Sequence, residues 1–410
     1  MEVVVEGSGG EAGWPRPGCR CASCLRQAAA GNIRVRSSIV VDGRVRLGAG
    51  ATGAEARGTG AGAESAGAET ESAEAGSAEA GSAGAESAGA ETESAEAGSA
   101  GAESAAVGYR VRRVDGGWDV TGPDGGRLLY PAGPGAVPAP PRDAAPYDIA
   151  FLDLLGDPAQ LGWLRARGLI TAGTVTAVAF ADHRVPSERE LRRRCGFWRV
   201  RLAADGEAVV SPARSAQKKG RDGGTGTRRV LVLGGARSGK SERAELRVAG
   251  EPEVTYVAAA PAGTGDLGWA GDAEWAARVA AHRARRPAWW RTAETTDLAG
   301  VLAAARGAVL IDGIGSWLAA VMDECGAWDR GAAPAREKLA ARTGELAGAW
   351  RQARGYVVAV SDETGLGVVP ATPAGRLFRD ELGRLNQALA AESEEAELVV
   401  AGRVLPLEGW

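Results

Sequence analysis

Residues Val230–Ser241 read VLVLGGARSGKS. The run Val230-Leu231-Val232-Leu233 is apolar and short enough for a buried strand. Gly234-Gly235-Ala236-Arg237-Ser238-Gly239 turns the chain, and Lys240-Ser241-Glu242-Arg243-Ala244-Glu245-Leu246 is compatible with a helix. The spacing is G-x-x-x-x-G-K-[ST] in a strand–loop–helix context. Glycines at 234, 235 and 239 let backbone N–H groups close on phosphate oxygens with no Cβ in the way. The N-terminus of the following helix adds its dipole to the same anion site. Lys240 can reach β- and γ-phosphates, and Ser241 can hold Mg²⁺. The bland alternative is a chance match in a chain with 61 glycines. The flanking strand and helix argue against it.

From this stretch to the end, strand and helix patterns alternate, which predicts an α/β domain with a mainly parallel sheet over 229–410. Strands are expected at Arg229–Leu233, Val254–Ala259, Gly307–Ile311, Tyr356–Ser361 and Leu398–Ala401. Helices are expected at Ser241–Val248, Gly271–Arg285, Thr296–Arg306, Ala335–Arg354 and Thr372–Ala391. In such sheets ligands bind at the carboxyl ends of the strands. Gly234–Ser241, Ala259-Ala260-Pro261, Asp312 and Ser361-Asp362-Glu363 all fall there. Asp312 closes the apolar run Ala308-Val309-Leu310-Ile311, as a carboxylate partner for P-loop Mg²⁺ should; its bland alternative is a helix N-cap. His282 lies among Arg278, Arg283, Arg285 and Arg286, and by spacing alone is a helical histidine on a charged surface.

The segments GGARSGKS, AAHRARRP-x-x-WRTAE, VLIDG, SDETGLGVVP and GRLFRDELGRLNQALA occur in this order between Gly234 and Ala390. Together they resemble the bifunctional adenosylcobinamide kinase/adenosylcobinamide-phosphate guanylyltransferase family. The resemblance implies a P-loop NTPase domain that phosphorylates adenosylcobinamide with ATP or GTP. It then implies transfer of GMP from GTP to that phosphate through a GMP–histidine intermediate. It places the nucleophile at His282 and catalytic Lys240 in the P-loop. Nucleotide contacts carry over to Gly234, Gly235, Ala236, Arg237, Ser238, Gly239, Lys240, Ser241, Ala259, Ala260, Pro261, Arg283, Ala284, Arg285, Arg286, Glu294 and Asp312, with Ser241 and Asp312 on Mg²⁺. The resemblance also implies a homo-oligomer, often a trimer. Ala281, Gly313 and Asp362 depart from the family pattern, and Gly263–Gly271 reads as an insertion. The alternative is a P-loop kinase of another small molecule, without covalent histidine chemistry.

Towards the N-terminus the character changes. Residues 213–228 are polar and glycine-rich, as in a linker. Residues 49–106 are an Ala/Gly/Glu/Ser tract in which 61–78 recur unchanged at 83–100. With no side chain to bury, this repeat is expected to be disordered. Residues 1–48 and 107–212 are globular and β-rich, with Asp42-Gly43, Asp115-Gly116 and Asp124-Gly125 as turn signals. Cys19-Arg20-Cys21-Ala22-Ser23-Cys24 is C-x-C-x-x-C, three thiols that could serve a structural Zn²⁺ needing a fourth ligand. The alternative is three reduced thiols left from an ancestral site. This cluster and the segments Leu152-Asp153 and Asp182-His183 resemble the metallo-β-lactamase fold, in the branch with a cysteine zinc cluster. That implies an αβ/βα metallo-hydrolase-like domain, degenerate because its histidine-rich metal motif is absent. His183 is expected to be structural and Asp182 vestigial.

The whole chain has 410 residues, a formal charge of −4 and only two histidines, His183 and His282. Near-balanced charge without a clustered basic face argues against nucleic-acid binding. Five cysteines do not make a disulfide framework. No run approaches the length of a membrane span, and Met1–Glu6 lacks a signal-peptide pattern. A cytoplasmic enzyme acting on cobinamide and nucleotide is the resulting expectation.

Overall fold

The structure is a computed structural model that describes residues 1–48, 55–56, 108–211, 227–259, 280, 283–328 and 333–407. The repeat tract over 49–106 apart from Glu55 and Ala56, most of the linker 213–228, the insertion 263–271, most of the helix expected over 271–285, and Ala260, Pro261 and His282 lie outside the described residues.

The N-terminal half contains β1 (Glu2–Gly7), α1 (Ala22–Ala29), β2 (Ser38–Val41), β3 (Val45–Gly48), β4 (Glu55–Ala56), β5 (Arg110–Val114), β6 (Gly117–Thr121), β7 (Arg127–Pro131), β8 (Ile149–Leu152), α2 (Ala159–Ala166), β9 (Val175–Val178), α3 (Glu188–Trp198) and β10 (Ala208–Val210). They form two five-stranded sheets, β10-β1-β2-β3-β4 and β5-β6-β7-β8-β9. The β2–β3 turn is the expected Asp42-Gly43, with φ of 47° and 68°. Positive φ at both central residues matches the strand twist of a tight hairpin. Val3, Val5, Ile39, Val41 and Leu47 face Val120, Leu128, Tyr130 and Phe151 across one core. The opposite face of the second sheet, with Leu129, Leu152 and Val178, takes Leu161 and Leu164 of α2 and Leu191 and Trp198 of α3. β8, IAFL, is therefore buried on both faces, and pairs in parallel with β7 and β9 as such strands do. Among the described residues the layers are sheet, sheet and helix. A second helical layer, which the expected αβ/βα arrangement requires, is not among them.

The C-terminal half runs β11 (Arg228–Gly234), α4 (Lys240–Val248), β12 (Val254–Ala258), β13 (Arg291–Glu294), α5 (Leu298–Ala304), β14 (Ala308–Asp312), α6 (Ile314–Cys325), α7 (Ala333–Gln352), β15 (Tyr356–Asp362), α8 (Pro373–Ala391), β16 (Glu395–Val400) and β17 (Arg403–Leu407). One seven-stranded sheet has the order β13-β12-β14-β15-β11-β16-β17. All its pairings are parallel except β16–β17. Leu231 and Leu233 face the core shared with α5–α8, and Val230 and Val232 face α4. Alternation within one apolar strand thus buries both faces, the expected parallel α/β sheet.

Three departures from the sequence reading have local causes. β13, RTAE, is a polar edge strand, and its composition does not signal a strand. α6 follows Gly313, whose φ of 105° lets the chain turn directly from strand into helix. β16 starts at Glu395 rather than at the expected Leu398, because its two glutamates are neutralised in three dimensions. Glu397 accepts two bonds from Arg243, both 2.8 Å, and one of 3.1 Å from Arg247. Arg247 also pairs with Glu395.

This cluster joins the two halves. Arg243 Nη1 reaches Glu190 of α3 at 2.8 Å, and Arg243 and Arg247 both stack on Phe197 of α3. Trp198 Nε1 donates to Leu246 O at 2.9 Å, and Arg165 Nη1 to Gly250 O at 2.7 Å. Gly162 of α2 approaches so closely that a Cβ there would lie 2.6 Å from the carbonyl oxygens of Ala249 and Glu251. Burial opposes ionisation of Glu397, but Arg243 and Arg247 outweigh it and hold its carboxyl below the ordinary glutamate value. Glu397→Ala would leave each buried guanidinium with one remaining carboxylate, Glu190 or Glu395, and is expected to cost about 3 kcal/mol in urea unfolding. Because the folded pKa is depressed, the stabilisation is complete above the ordinary value of 4.5 and is lost as pH falls through the lower one.

Candidate active site

The glycine-rich loop leaves the carboxyl end of β11 and enters α4 at Lys240. Gly234 has no room for a side chain, since a Cβ would meet Ser238 Oγ at 2.4 Å and Val399 O at 2.7 Å. Gly239 caps α4 with φ of 94°, in the left-handed region. Arg237 also has positive φ, at 56°. The loop is thus wound tightly, with the N-terminus of α4 directed to the carboxyl edge of the sheet. Ser238 Oγ is buried without a hydrogen-bond partner among the described residues.

The expected companions gather at that edge. Register places Gly234 beside Asp362, Asp312 beside Val360, and Ala258 beside both Asp312 and Glu294. Ser241 Oγ donates to Asp312 Oδ1 at 3.2 Å, although 71 residues separate them. The other carboxylate oxygen of Asp312 accepts from Tyr256 O–H at 2.8 Å. Burial and the neighbouring Asp312 charge push the Tyr256 phenol far above its ordinary value, so it stays a donor. Ala259 is buried at the end of β12, and its N–H donates to Asp312 O at 3.2 Å. Lys240 Nζ lies 2.9 Å from Asp362 Oδ1 and 3.2 Å from Gly235 O. Asp362 is fixed in turn by Asn386 of α8, whose Nδ2 donates to Asp362 O at 3.0 Å while its Oδ1 accepts from Ser361 at 2.6 Å.

The arginine segment is anchored around the same edge. Arg283 pairs with Glu294 at 2.7 Å, and Arg285 with Glu245 of α4 at 3.2 Å. The Arg286 guanidinium lies 3.8 Å from the Tyr256 ring centroid, with Nη1 3.4 Å from Thr292 Oγ1. Ala284 is exposed between them. A chain of contacts therefore runs from Ser241 through Asp312 and Tyr256 to Arg286. Tyr256 and Asn386 were not singled out in the sequence. One is a strand tyrosine and the other a helical asparagine, and only packing across the sheet reveals their partners.

A family profile described as cobinamide kinase / cobinamide phosphate guanyltransferase matches residues 230–407. The bifunctional adenosylcobalamin biosynthesis protein CobP of Pseudomonas aeruginosa is 42% identical over 189 residues, covering 98% of that protein and 44% of this chain. The chain belongs to this family. The bifunctional proteins named CobU of Salmonella typhimurium and Escherichia coli are 36% and 35% identical, each covered over 96% of its length and matching 42% of this chain. The family's extent coincides with the seven-stranded sheet and its helices, so the N-terminal half is additional to it. Among the described residues no helix is long and apolar enough to cross a membrane.

The N-terminal half brings together a second group of residues. Cys21 caps α1, its Sγ accepting from Cys24 N–H at 3.4 Å. Ser23 Oγ donates to Val185 O at 2.7 Å, and Arg26 donates to Pro186 O, tying α1 to the segment after Asp182. This packs His183 against the cysteines. The ligand atoms of Cys19, Cys24 and His183 lie within 4.8 Å of one another, while the Cys21 thiol is held at the start of α1. His183 Nδ1 is buried without a hydrogen-bond partner among the described residues. Two thiols and an imidazole with an orphaned buried ring nitrogen suit a zinc ion, and of the three cysteines expected to serve it only Cys19 and Cys24 are gathered with His183. No sequence spacing links His183 to the cysteines; the fold supplies it.

Asp153 and Asp182 meet an arginine instead. Arg184 Nη1 lies 2.7 Å from Asp153 Oδ2, and Arg184 Nε lies 2.8 Å from Asp182 Oδ1. One guanidinium thus bridges both carboxylates.

Proposed function

We propose that the C-terminal half phosphorylates adenosylcobinamide with ATP or GTP, then transfers GMP from GTP to the product through a GMP–His282 intermediate. The observation that supports this most is the meeting of Lys240, Ser241 and Asp312 at one sheet edge, in a chain with this family's profile. Ser241 Oγ and Asp312 would hold Mg²⁺, which supplies charge neutralisation to the β- and γ-phosphates. The loop amides and Lys240 hold the phosphates in line, with Lys240 exchanging Asp362 for a phosphate oxygen. In the first reaction the substrate hydroxyl oxygen bonds to the γ-phosphorus, the bond to the β-phosphate oxygen breaks, and the hydroxyl proton is released. In the second, an imidazole nitrogen of His282 bonds to the α-phosphorus of GTP and pyrophosphate leaves. An oxygen of adenosylcobinamide phosphate then takes the GMP group, the P–N bond breaks, and the imidazole is regenerated. Arg283, Arg285 and Arg286 supply positive charge beside these phosphates. Gly234–Gly239, Ala259–Pro261, Ala284 and Glu294 complete the nucleotide contacts, and assembly as a homo-oligomer belongs to the same reading.

The test is incubation with Mg²⁺ and GTP labelled at the α-phosphate, without acceptor. Acid-labile, base-stable label is expected on His282. Bound GTP with no covalent label would replace this reading by that of a plain P-loop kinase.

For the N-terminal half we infer a degenerate metallo-hydrolase-like domain over 1–48 and 107–212, without hydrolase activity. The Arg184 clamp on Asp153 and Asp182 supports it, because a guanidinium supplies the charge that a catalytic metal would otherwise bring. Cys19, Cys24 and His183 are read as ligands of one structural Zn²⁺, which would cross-link α1 to the segment before α3. The full chain is expected to carry one zinc per molecule by elemental analysis. His183→Ala is expected to lose the zinc and lower the thermal midpoint, while His183→Cys restores it. Full-length protein that takes up no zinc at neutral pH would end this reading.

A further inference from the structure

We propose that the cleft between α3 and the β16–β17 edge binds a small organic phosphate at a site separate from the P-loop cradle. The cavity measures about 480 Å³, the scale of a small-molecule site. It has two unlike walls. Arg189, Arg193 and Arg194 of α3 form one, and Arg403 closes it from β17. Leu246 of α4 and Val404 of β17 belong to the other, apolar side.

The charge on these walls is out of balance. Besides Arg243, which Glu397 already holds, four arginines line the cavity against two glutamates, Glu190 and Glu242. Glu190 is already shared among Arg193, Arg194 and Arg243, at 3.2, 3.2 and 2.8 Å. Arg189 and Arg403 have no ion-pair or side-chain hydrogen-bond partner among the described residues. Burial lowers the Arg194 pKa, and the nearby Arg243 adds to that lowering against the pull of Glu190. Arg189 and Arg403 are exposed at the rim of the cleft, and guanidiniums gathered on one side of a concave surface with little counter-charge attract an anion. Arginine also suits phosphate geometrically, because its planar fork can give two parallel bonds to two oxygens. The apolar wall then selects a phosphate that carries an organic body over the bare ion.

The cleft touches the outer side of the P-loop at Gly239 and at Gly402, whose N–H donates to Ser238 O at 2.8 Å. Its arginine wall comes mainly from the N-terminal half and its apolar wall from the C-terminal half. Neither half alone forms the site, which gives the N-terminal half a ligand-binding role that the family match does not cover.

The experiment uses full-length Lys240→Ala protein, to weaken phosphate capture by the P-loop, without Mg²⁺. Phenyl phosphate and inorganic phosphate are titrated by calorimetry. Saturable binding of one phenyl phosphate is expected, with inorganic phosphate about tenfold weaker or more. The double substitution Arg189→Glu/Arg193→Glu is expected to abolish the heat. Arg403→Glu, on an exposed edge strand where folding is not at stake, is expected to weaken binding about tenfold. Leu405→Asp, at a residue of β17 that also lines the cleft, should weaken phenyl phosphate while leaving inorganic phosphate unchanged. Absence of saturable binding in the Lys240→Ala protein, when the wild type binds, would assign the affinity to the P-loop and overturn the proposal. Binding that survives Arg403→Glu at full strength would overturn it equally.

Discussion

Replacing His282 by alanine is expected to reduce GMP transfer to adenosylcobinamide phosphate by at least about 10⁴-fold, the scale seen when a covalent nucleophile is removed. GTP binding should remain. The P-loop backbone, Lys240 and Arg286 are built by other elements, and Arg286 is held against Tyr256 independently. Kinase turnover should also remain, because γ-phosphoryl transfer uses the substrate hydroxyl and no protein nucleophile. An imidazole suits the role because its neutral form carries a ring lone pair for the α-phosphorus. His282 is the sole histidine in the C-terminal half, so no neighbouring imidazole can substitute. The measurement is the rate of GDP-cobinamide formation, run beside the covalent labelling assay. Transfer at the wild-type rate in this variant would remove the covalent mechanism while leaving the kinase reading in place.

Lys240→Ala is expected to damage both reactions, by about 10²–10³-fold each in kcat, the range for loss of one preorganised charge on a transferring phosphoryl group. The ammonium is mostly buried, with its side chain 15% exposed, and it is held between Asp362 and the Gly235 carbonyl. That position lies over the mouth of the loop, where triphosphate oxygens would take the place of Asp362. Without the lysine, Asp362 would face the phosphates as an uncompensated carboxylate, so substrate affinity should fall as well as turnover. Lys240→Arg should recover charge but not reach, because the guanidinium fork does not fit a cradle built for a compact ammonium. The two half-reactions, assayed separately, should fall together. If only one falls, each reaction uses a different nucleotide site.

Much of this was legible before any coordinates. The P-loop spacing stated its own strand, turn and helix, and β11, the loop and α4 form over the same residues. Asp312 could be chosen because an apolar strand ending in a carboxylate is a local pattern that a P-loop calls for, and Ser241 does bond to it. The polar strands were less legible. β13 and the start of β16 carry glutamates and arginines, and hydrophobic periodicity cannot register a charge whose counter-charge arrives from another element. Arg243 and Arg247 lie on a helix expected from its sequence, with nothing local to show that they are covered. In the fold they are 5% and 1% exposed, because α3 of the N-terminal half covers them.

The sequence by itself determined the α/β order of the C-terminal half, the glycine-rich loop between β11 and α4, and the family, since each resides in short runs whose chemistry is local. The tertiary structure alone decided what depends on distance between segments. It brought His183 to Cys19 and Cys24 across 159 residues or more of chain, closed Arg184 over Asp153 and Asp182, and turned the α3 arginines towards the β17 edge. The physical reason is the range of each signal. Strand, turn and helix propensities act within a few residues, whereas ligand sets and buried ion pairs form between residues whose separation only the packed core sets.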